Sequence, residues 1–264
     1  MALTVRTFPD TGAAAAALAA AGSRYLGGGT LVVRQANEGD LSFSTFVRST
    51  DPALKAIAVE DGRVRLGAGV TMAAIAAHPA LAFLAPAAKA VGGPAIRNMA
   101  TVGGNLFAPS PYGDLATALL ALDATVTVGG AAVPIDLFLA GRERHAAEIV
   151  EAVAFAVPAA GAFRFRKASR VKPKGAAVVT VAALVATEGG TVTAARIALG
   201  AMADRPVRAE AAEAALIGRP LTAEGIAEAL AAAGDGLDPP TDAIASGWYR
   251  RAVLPVHLGR LLAG

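Results

Sequence analysis

Cysteine is absent from the 264 residues. A chain without thiolates cannot hold an iron–sulfur cluster on its own ligands, form a disulfide or use a thiol nucleophile. Histidine is scarce: His78, His145 and His257 are scattered with no metal-ligand spacing, so no resident metal site is expected. Neither sign of charge is in excess. Lys and Arg number 24 against 21 Asp and Glu, a net +3 that is too balanced to argue for a nucleic-acid surface. Long hydrophobic runs are missing as well. Alanine inflates the mean hydropathy of +0.51, and the longest strongly apolar stretch, Ala176 to Ala186 apart from Thr180, is too short to span a bilayer. The first residues, Met1-Ala2-Leu3-Thr4-Val5-Arg6, show no basic segment followed by an apolar one. No secretory signal is therefore expected, and a soluble cytoplasmic protein is. No Ser-His-Asp arrangement, P-loop or carboxylate pair suited to acid–base work is visible, and no catalytic side chain is assigned.

What is present is glycine, concentrated in two segments. Leu26-Gly27-Gly28-Gly29-Thr30 precedes a helix-like run, and Thr101-Val102-Gly103-Gly104-Asn105 reads as a loop between Arg97 and Phe107. Adjacent glycines lack Cβ atoms and allow positive φ, so successive backbone N–H groups can turn toward one anion. Thr101 adds a hydroxyl and Asn105 an amide. Each segment alone is either an ordinary turn or one anchor of a ligand; together they suggest two anchors on a diphosphate. The spacing is not the G-x-G-x-x-G of a dinucleotide-binding Rossmann unit.

Taken in order, Asp10 or Thr11 can cap a helix over 12–21, ended by Gly22. Arg24-Tyr25-Leu26 reads as a strand and 31–35 as a helix. Glu60-Asp61-Gly62 predicts a hairpin between 56–59 and 63–67. Thr71 can cap a helix through Ala77, and Pro79 can start another running to about Val91. A helix from Asp114, a second hairpin around Gly129-Gly130 and a strand over 148–157 close this part. Beyond a joint at 158–161, strands are expected at 162–166, 177–186 and 191–200. Helices are expected at 209–217, 222–233 and 241–262. Strands followed by helices make this last part an α+β layer.

Six cations, Arg164, Arg166, Lys167, Arg170, Lys172 and Lys174, crowd one stretch. They are either a solvated strand edge or a surface for an anionic cofactor and an acidic partner. On a two-residue period Phe163 and Phe165 share one face of their strand and Arg164 and Arg166 the other. Asp114 either caps its helix or accepts hydrogen bonds from ribose or ribityl hydroxyls.

The two glycine segments resemble those of the FAD-binding medium subunit of the molybdenum hydroxylases, the carbon monoxide, xanthine and nicotine dehydrogenase family. Val91-Gly92-Gly93-Pro94-Ala95-Ile96-Arg97-Asn98, Ser110-Pro111-Tyr112-Gly113-Asp114-Leu115, Phe165-Arg166-Lys167-Ala168-Ser169-Arg170 and Tyr249-Arg250-Arg251 resemble further stretches of that family, in order along nearly the whole chain. The resemblance implies an α+β protein with a bipartite FAD-binding fold of the vanillyl-alcohol oxidase type and a C-terminal α+β domain. Residues 1–160 would be the FAD-binding domain, in subdomains 1–55 and 56–160, and 161–264 the C-terminal domain. Gly27, Gly28, Gly29, Val102, Gly103 and Gly104 would grip the FAD diphosphate, with Thr30, Thr101 and Asn105 completing the contacts. Leu26, Leu31, Val32 and Val33 would line the first segment. Val91, Asp114, Phe165 and Arg166 match family positions near the flavin. Gly175 stands where the family usually carries an aspartate.

By the same resemblance this chain would be the FAD-carrying electron-transfer subunit of a molybdopterin-dependent dehydrogenase. Two 2Fe–2S clusters would sit on a small partner subunit and molybdopterin on a large one, in a dimer of heterotrimers. The alternatives are a free-standing reductase of the same fold, like UDP-N-acetylenolpyruvoylglucosamine reductase, and a non-redox interaction subunit.

Overall fold

A computed structural model describes residues 3–171 and 175–264. Lys172 and Lys174 of the basic stretch lie outside the described residues. The described residues form three sheets. The first comes from β1 (Thr4–Phe8), α1 (Thr11–Leu18), β2 (Ser23–Tyr25), α2 (Val32–Asn37) and β3 (Thr45–Ser49). Its strands are parallel in the order β1-β3-β2, and α1 seals one face by packing Ala14, Ala17 and Leu18 on Val47. Asp10 caps α1 by accepting from Ala13 N at 2.7 Å. Neither β1 nor β3 is legible from residue pattern. Four of the five β1 residues are exposed, and only Phe46 and Val47 of β3 are buried, so neither strand carries a clean alternation.

The second unit contains β4 (Ile57–Glu60), β5 (Arg63–Gly67), α3 (Met72–Ala77), α4 (Ala85–Ala90), α5 (Pro94–Met99), α6 (Val102–Leu106), α7 (Asp114–Ala121), β6 (Thr125–Val128), β7 (Ala131–Pro134), α8 (Ile135–Ala140) and β8 (Val150–Ala156). Its sheet is antiparallel in the order β4-β5-β8-β6-β7, with both expected hairpins at its edges. Thr71 caps α3 by accepting from Ala74 N. The helix expected over 79–91 is instead a short 3-10 turn at Pro79–Leu81 followed by α4. Pro86, in the first turn of α4, lacks the N–H that a continuous helix would need there. The segment read as a central loop is α6, one helical turn capped by Thr101, whose Oγ1 accepts from Gly104 N at 3.2 Å.

The third sheet joins β9 (Phe163–Ser169), β10 (Ala177–Glu188), β11 (Thr191–Gly200) and β12 (Val207–Arg208), antiparallel in the order β12-β11-β10-β9. The helices α9 (Glu210–Leu216), α10 (Ala227–Ala232) and α11 (Gly247–Leu262) cover one face, burying Leu216, Ala229, Leu254 and Leu258 against Val181, Ile197 and Leu199. The last two helices start later than expected. The N–H of Gly225 bonds to Thr222 Oγ1 in a turn ahead of α10, and Ser246 caps α11 by accepting from Tyr249 N.

The other face of this sheet lies on the second unit. Phe163, Ala182 and Ala198 belong to the same core as Leu106, Leu115 and Leu119. All eight residues of α7 are buried. A helix buried on every side has no solvent face, which fits its place between two sheets. A buried leucine contributes about 1.5–3 kcal/mol relative to exposure, and Leu115, Leu119 and Leu120 of this helix are all buried in the core that holds Ala182 and Ala198 of the third sheet. Arg250 of α11, fully buried, donates to Pro240 O, Ala177 O, Val178 O and Ala201 O and pairs with both Asp242 oxygens at 2.8 Å.

Candidate functional site

The two glycine segments meet. Leu26 N bonds to Val47 O at 2.7 Å, so the first segment leaves the end of the parallel sheet and turns into α2. A Cβ on Gly28 would overlap the carbonyl oxygen of Met99, and one on Gly27 would stand 3.0 Å from Thr101 Oγ1. Only glycine lets these two backbones touch. Gly29 has φ +75°, the left-handed turn that aims the chain into α2, with Val33 Cγ2 and Leu26 Cδ1 closing around it.

The segments differ in what their backbones have left to give. Among the described residues, the N–H groups of Gly27, Gly28, Gly29 and Thr30 find no hydrogen-bond partner. Gly27 is exposed and the other three are half-buried. The second segment spends its donors internally. Val102 N bonds to Val70 O at 2.9 Å, Gly103 N to Ala68 O at 2.8 Å, Gly104 N to Thr101 Oγ1 and Asn105 N to Thr101 O at 2.9 Å. The N–H groups of Gly103 and Gly104, expected to turn toward a ligand, are thus engaged within the fold. Gly103 is small because it packs on Ala68, whose Cβ would lie 3.0 Å from an added one. The free donors belong to the first segment, and Thr101, its oxygen already accepting, keeps a hydroxyl hydrogen to donate beside them.

Asn105 is 8% exposed and faces inward. Its Oδ1 accepts from Ala116 N at 2.9 Å, which fixes α6 to the first turn of α7. Asp114, which opens α7, is 4% exposed and does not cap the helix; Gly113 occupies the cap position. Its Oδ2 pairs with Lys167 Nζ at 2.7 Å and its Oδ1 accepts from Thr180 Oγ1 at 2.9 Å. Burial pushes the Asp114 carboxyl above its ordinary range, against the opposing pull of Lys167 and Thr180. Ser110 Oγ, in the turn that leads into this residue, is buried without a partner among the described residues.

Val91 ends α4, half-buried against the core of the second unit, and Phe165 faces that same core from β9. Arg166 does not. The register pairs Phe165 with Ala182 and Arg166 with Val181, and these two belong to opposite faces of the sheet. Arg166 Nε instead reaches His257 Nδ1 on α11 at 3.2 Å. The β9 cation on the Phe165 face is Lys167, which the residue pattern did not single out. The signal was there: the alternation that groups Phe163 with Phe165 extends two residues further.

The structure thus brings Leu26, Gly27, Gly28, Gly29 and Val33 against Met99 and Thr101. A second group holds Val91, Asp114, Phe165 and Lys167, and α6 and α7 link the two through Asn105. Unpartnered backbone donors plus one hydroxyl beside glycines suit a phosphate or diphosphate.

Comparison with known proteins agrees with this chemistry. The profile of the FAD binding domain in molybdopterin dehydrogenase matches residues 6–159, and that of the CO dehydrogenase flavoprotein C-terminal domain matches residues 163–263. A xanthine dehydrogenase FAD-binding subunit of Escherichia coli O157:H7 is 30% identical over 204 residues, 71% of this chain and 70% of that protein. Carbon monoxide dehydrogenase from Hydrogenophaga pseudoflava superposes with a TM-score of 0.91 at 26% identity, covering 99% of this chain and 96% of that one. Quinoline 2-oxidoreductase from Pseudomonas putida 86 gives 0.89 at 25% identity over the same shares.

Proposed function

The chain belongs to the family of FAD-binding domains in molybdopterin dehydrogenases, and on that premise we propose that it is an oxidoreductase subunit that carries electrons on FAD. It receives them from iron–sulfur clusters of a partner subunit and passes them to an external acceptor. The observation that carries this is the contact of Gly28 with Met99, which sets unpartnered N–H groups beside a threonine hydroxyl. Bound FAD supplies the redox chemistry.

This chain's residues bind and orient. Gly27, Gly28, Gly29 and Thr30 offer N–H groups to the diphosphate, and Thr101 adds its hydroxyl. Leu26, Leu31, Val32 and Val33 form the apolar wall of that loop. Val102, Gly103 and Gly104 contribute shape rather than donors, because their N–H groups are already bonded. Asn105 keeps α6 in register with α7, and Val91, Asp114 and Phe165 make up the flavin end. No side chain is required as a general acid or base for electron transfer.

The same reading makes residues 1–160 a bipartite FAD-binding fold of the vanillyl-alcohol oxidase type, divided near residue 55, and residues 161–264 the C-terminal domain. It places molybdopterin on a large partner and the clusters on a small one, in a cytoplasmic dimer of heterotrimers. Among the described residues no helix is long and apolar enough to cross a membrane. The test is a titration of the purified chain with FAD, alone and with its co-expressed partners. Retention at a dissociation constant of about 1 μM or below, some 8 kcal/mol of binding, is expected. A chain that holds no FAD in either setting rejects the proposal.

A further inference from the structure

On the face of β9 that looks toward α7, a single ammonium joins three segments. Lys167 Nζ pairs with Asp114 Oδ2 at 2.7 Å and donates to Ala90 O at 3.0 Å, while Thr180 Oγ1 donates to the other carboxylate oxygen at 2.9 Å. The side chains of Lys167 and Asp114 are 12% and 5% exposed. Ala90 immediately precedes Val91, and Phe165 stands on the same strand face as Lys167. Val91, Asp114 and Phe165, the three positions of the flavin end, are thus bound together by a residue not counted among them. Arg166 points away, to His257 on α11.

We propose that Lys167, and not Arg166, is the positioning residue of β9 for the cofactor, acting through Asp114. It keeps that carboxylate ionised and fixed, with lone pairs left over for a hydroxyl donor of the bound nucleotide. This rests on the FAD reading above.

The physical reason is desolvation. A carboxylate buried to this extent is costly to ionise without an opposite charge in contact. Lys167 supplies that charge, and among the described residues no other group on the neighbouring elements does. Lys89 of α4 is exposed, on a shallow cleft that it lines with Arg97. Arg196 of β11 pairs with Asp123, beyond the far end of α7, and Arg208 of β12 pairs with Glu213. Arg142, after α8, is spent on the carbonyls of Ala108 and Asp204. α6 carries no charged residue, and β10 faces Asp114 with Thr180. Removing the ammonium leaves burial to push the Asp114 carboxyl further up. A protonated carboxyl donates where the ionised one accepted. The ionised form is the binding form, so affinity in such a variant falls at low pH and returns as pH rises through the raised pKa.

The experiment measures FAD dissociation constants of the full chain by quenching of flavin fluorescence, between about pH 6 and pH 9, together with the melting temperature without FAD. Lys167→Gln is expected to bind about tenfold more weakly at the acid end and to recover toward the alkaline end, a steeper dependence on pH than that of the unaltered chain. Lys167→Arg restores the profile of the unaltered chain. Lys167→Gln combined with Asp114→Asn binds weakly at every pH, because the titrating group is gone. Should Lys167→Gln fail to fold, Asp114→Asn alone carries the test: it must weaken FAD binding without a pH slope, and unchanged affinity overturns the assignment. A Lys167→Gln profile parallel to the unaltered chain overturns it too, whether or not the melting temperature drops. So does a slope that appears in Arg166→Gln instead. A chain with native residues that binds no FAD at any pH is a different result, which rejects the proposed function itself.

Discussion

Gly28 lies directly beneath the carbonyl of Met99, so close that a single added methyl would overlap the oxygen. Two stretches far apart in sequence, one leaving a parallel sheet and one ending α5, are in backbone contact there. The free donors of the first segment owe their position to this contact.

Gly28→Ala is therefore expected to push the segments apart. Overpacking of this kind costs about 1–3 kcal/mol, and here the atom struck is backbone and cannot swing away. The variant should melt lower and lose FAD on gel filtration. A Gly28→Ala chain that elutes yellow with an unchanged melting temperature would count against the contact as described.

Gly104→Asp separates binding from folding. Gly104 is exposed, and the nearest atom an added Cβ would meet is Thr101 Oγ1 at 3.2 Å. It is the third residue of a helical turn, where a carboxylate is favourable for the helix. Beside a diphosphate the same charge repels: two unit charges about 4 Å apart interact by about 4 kcal/mol at an effective dielectric of 20. The apo chain should thus melt within a degree or two of the unaltered one, while FAD affinity falls by about two to three decades. Comparable losses in both would place the effect in the fold instead.

Arg250 is the buried clamp of the C-terminal unit. Arg250→Met removes a charge that serves four carbonyl oxygens and the Asp242 carboxylate, leaving Ala177, Val178 and Ala201 carbonyls without this donor. Leaving a buried acceptor without its donor costs about 1–3 kcal/mol, and Asp242, with 30% of its side chain exposed, adds less because water can take the lost partner's place. A lower denaturant midpoint is expected, and Arg250→Lys should recover only part of it because an ammonium lacks the planar fork.

Acid should act on the same place. Burial works to raise the Asp242 carboxyl, but the N–H groups of Ala245 and Ile244 and the Arg250 guanidinium outweigh it and hold the carboxyl below its ordinary value. A carboxyl lowered in the folded state contributes stability that is complete above its unfolded pKa, about 3.9, and is lost as pH falls through the folded value. Chemical unfolding followed from pH 7 downward should show stability falling below about pH 4, and Asp242→Asn should flatten that part of the curve. An unchanged slope in Asp242→Asn would assign the acid sensitivity elsewhere.

Local signals in the residues proved readable where the partner is a few positions away. Asp10 and Thr71 cap the helices they precede, and the Asp61-Gly62 turn lies between β4 and β5. Signals that depend on distant chain did not. β1 exists because it pairs with β3, forty residues on, and its own side chains are mostly exposed. Whether Arg166 or Lys167 faces α7 depends on the side of the strand. The alternation decides which residues share a face, while only the register with Ala182 and Val181 says which face meets α7.

From its residues alone this protein is a chain with no thiol, no metal cluster spacing and two clusters of glycine whose type suits an anion, resembling a flavin subunit. Those properties are covalent and local, so they survive without coordinates. Which N–H groups remain free is settled by the fold. Gly103 gives its hydrogen to Ala68 and Gly27 keeps its own, because each backbone donor is claimed by whatever carbonyl the folded chain brings beside it.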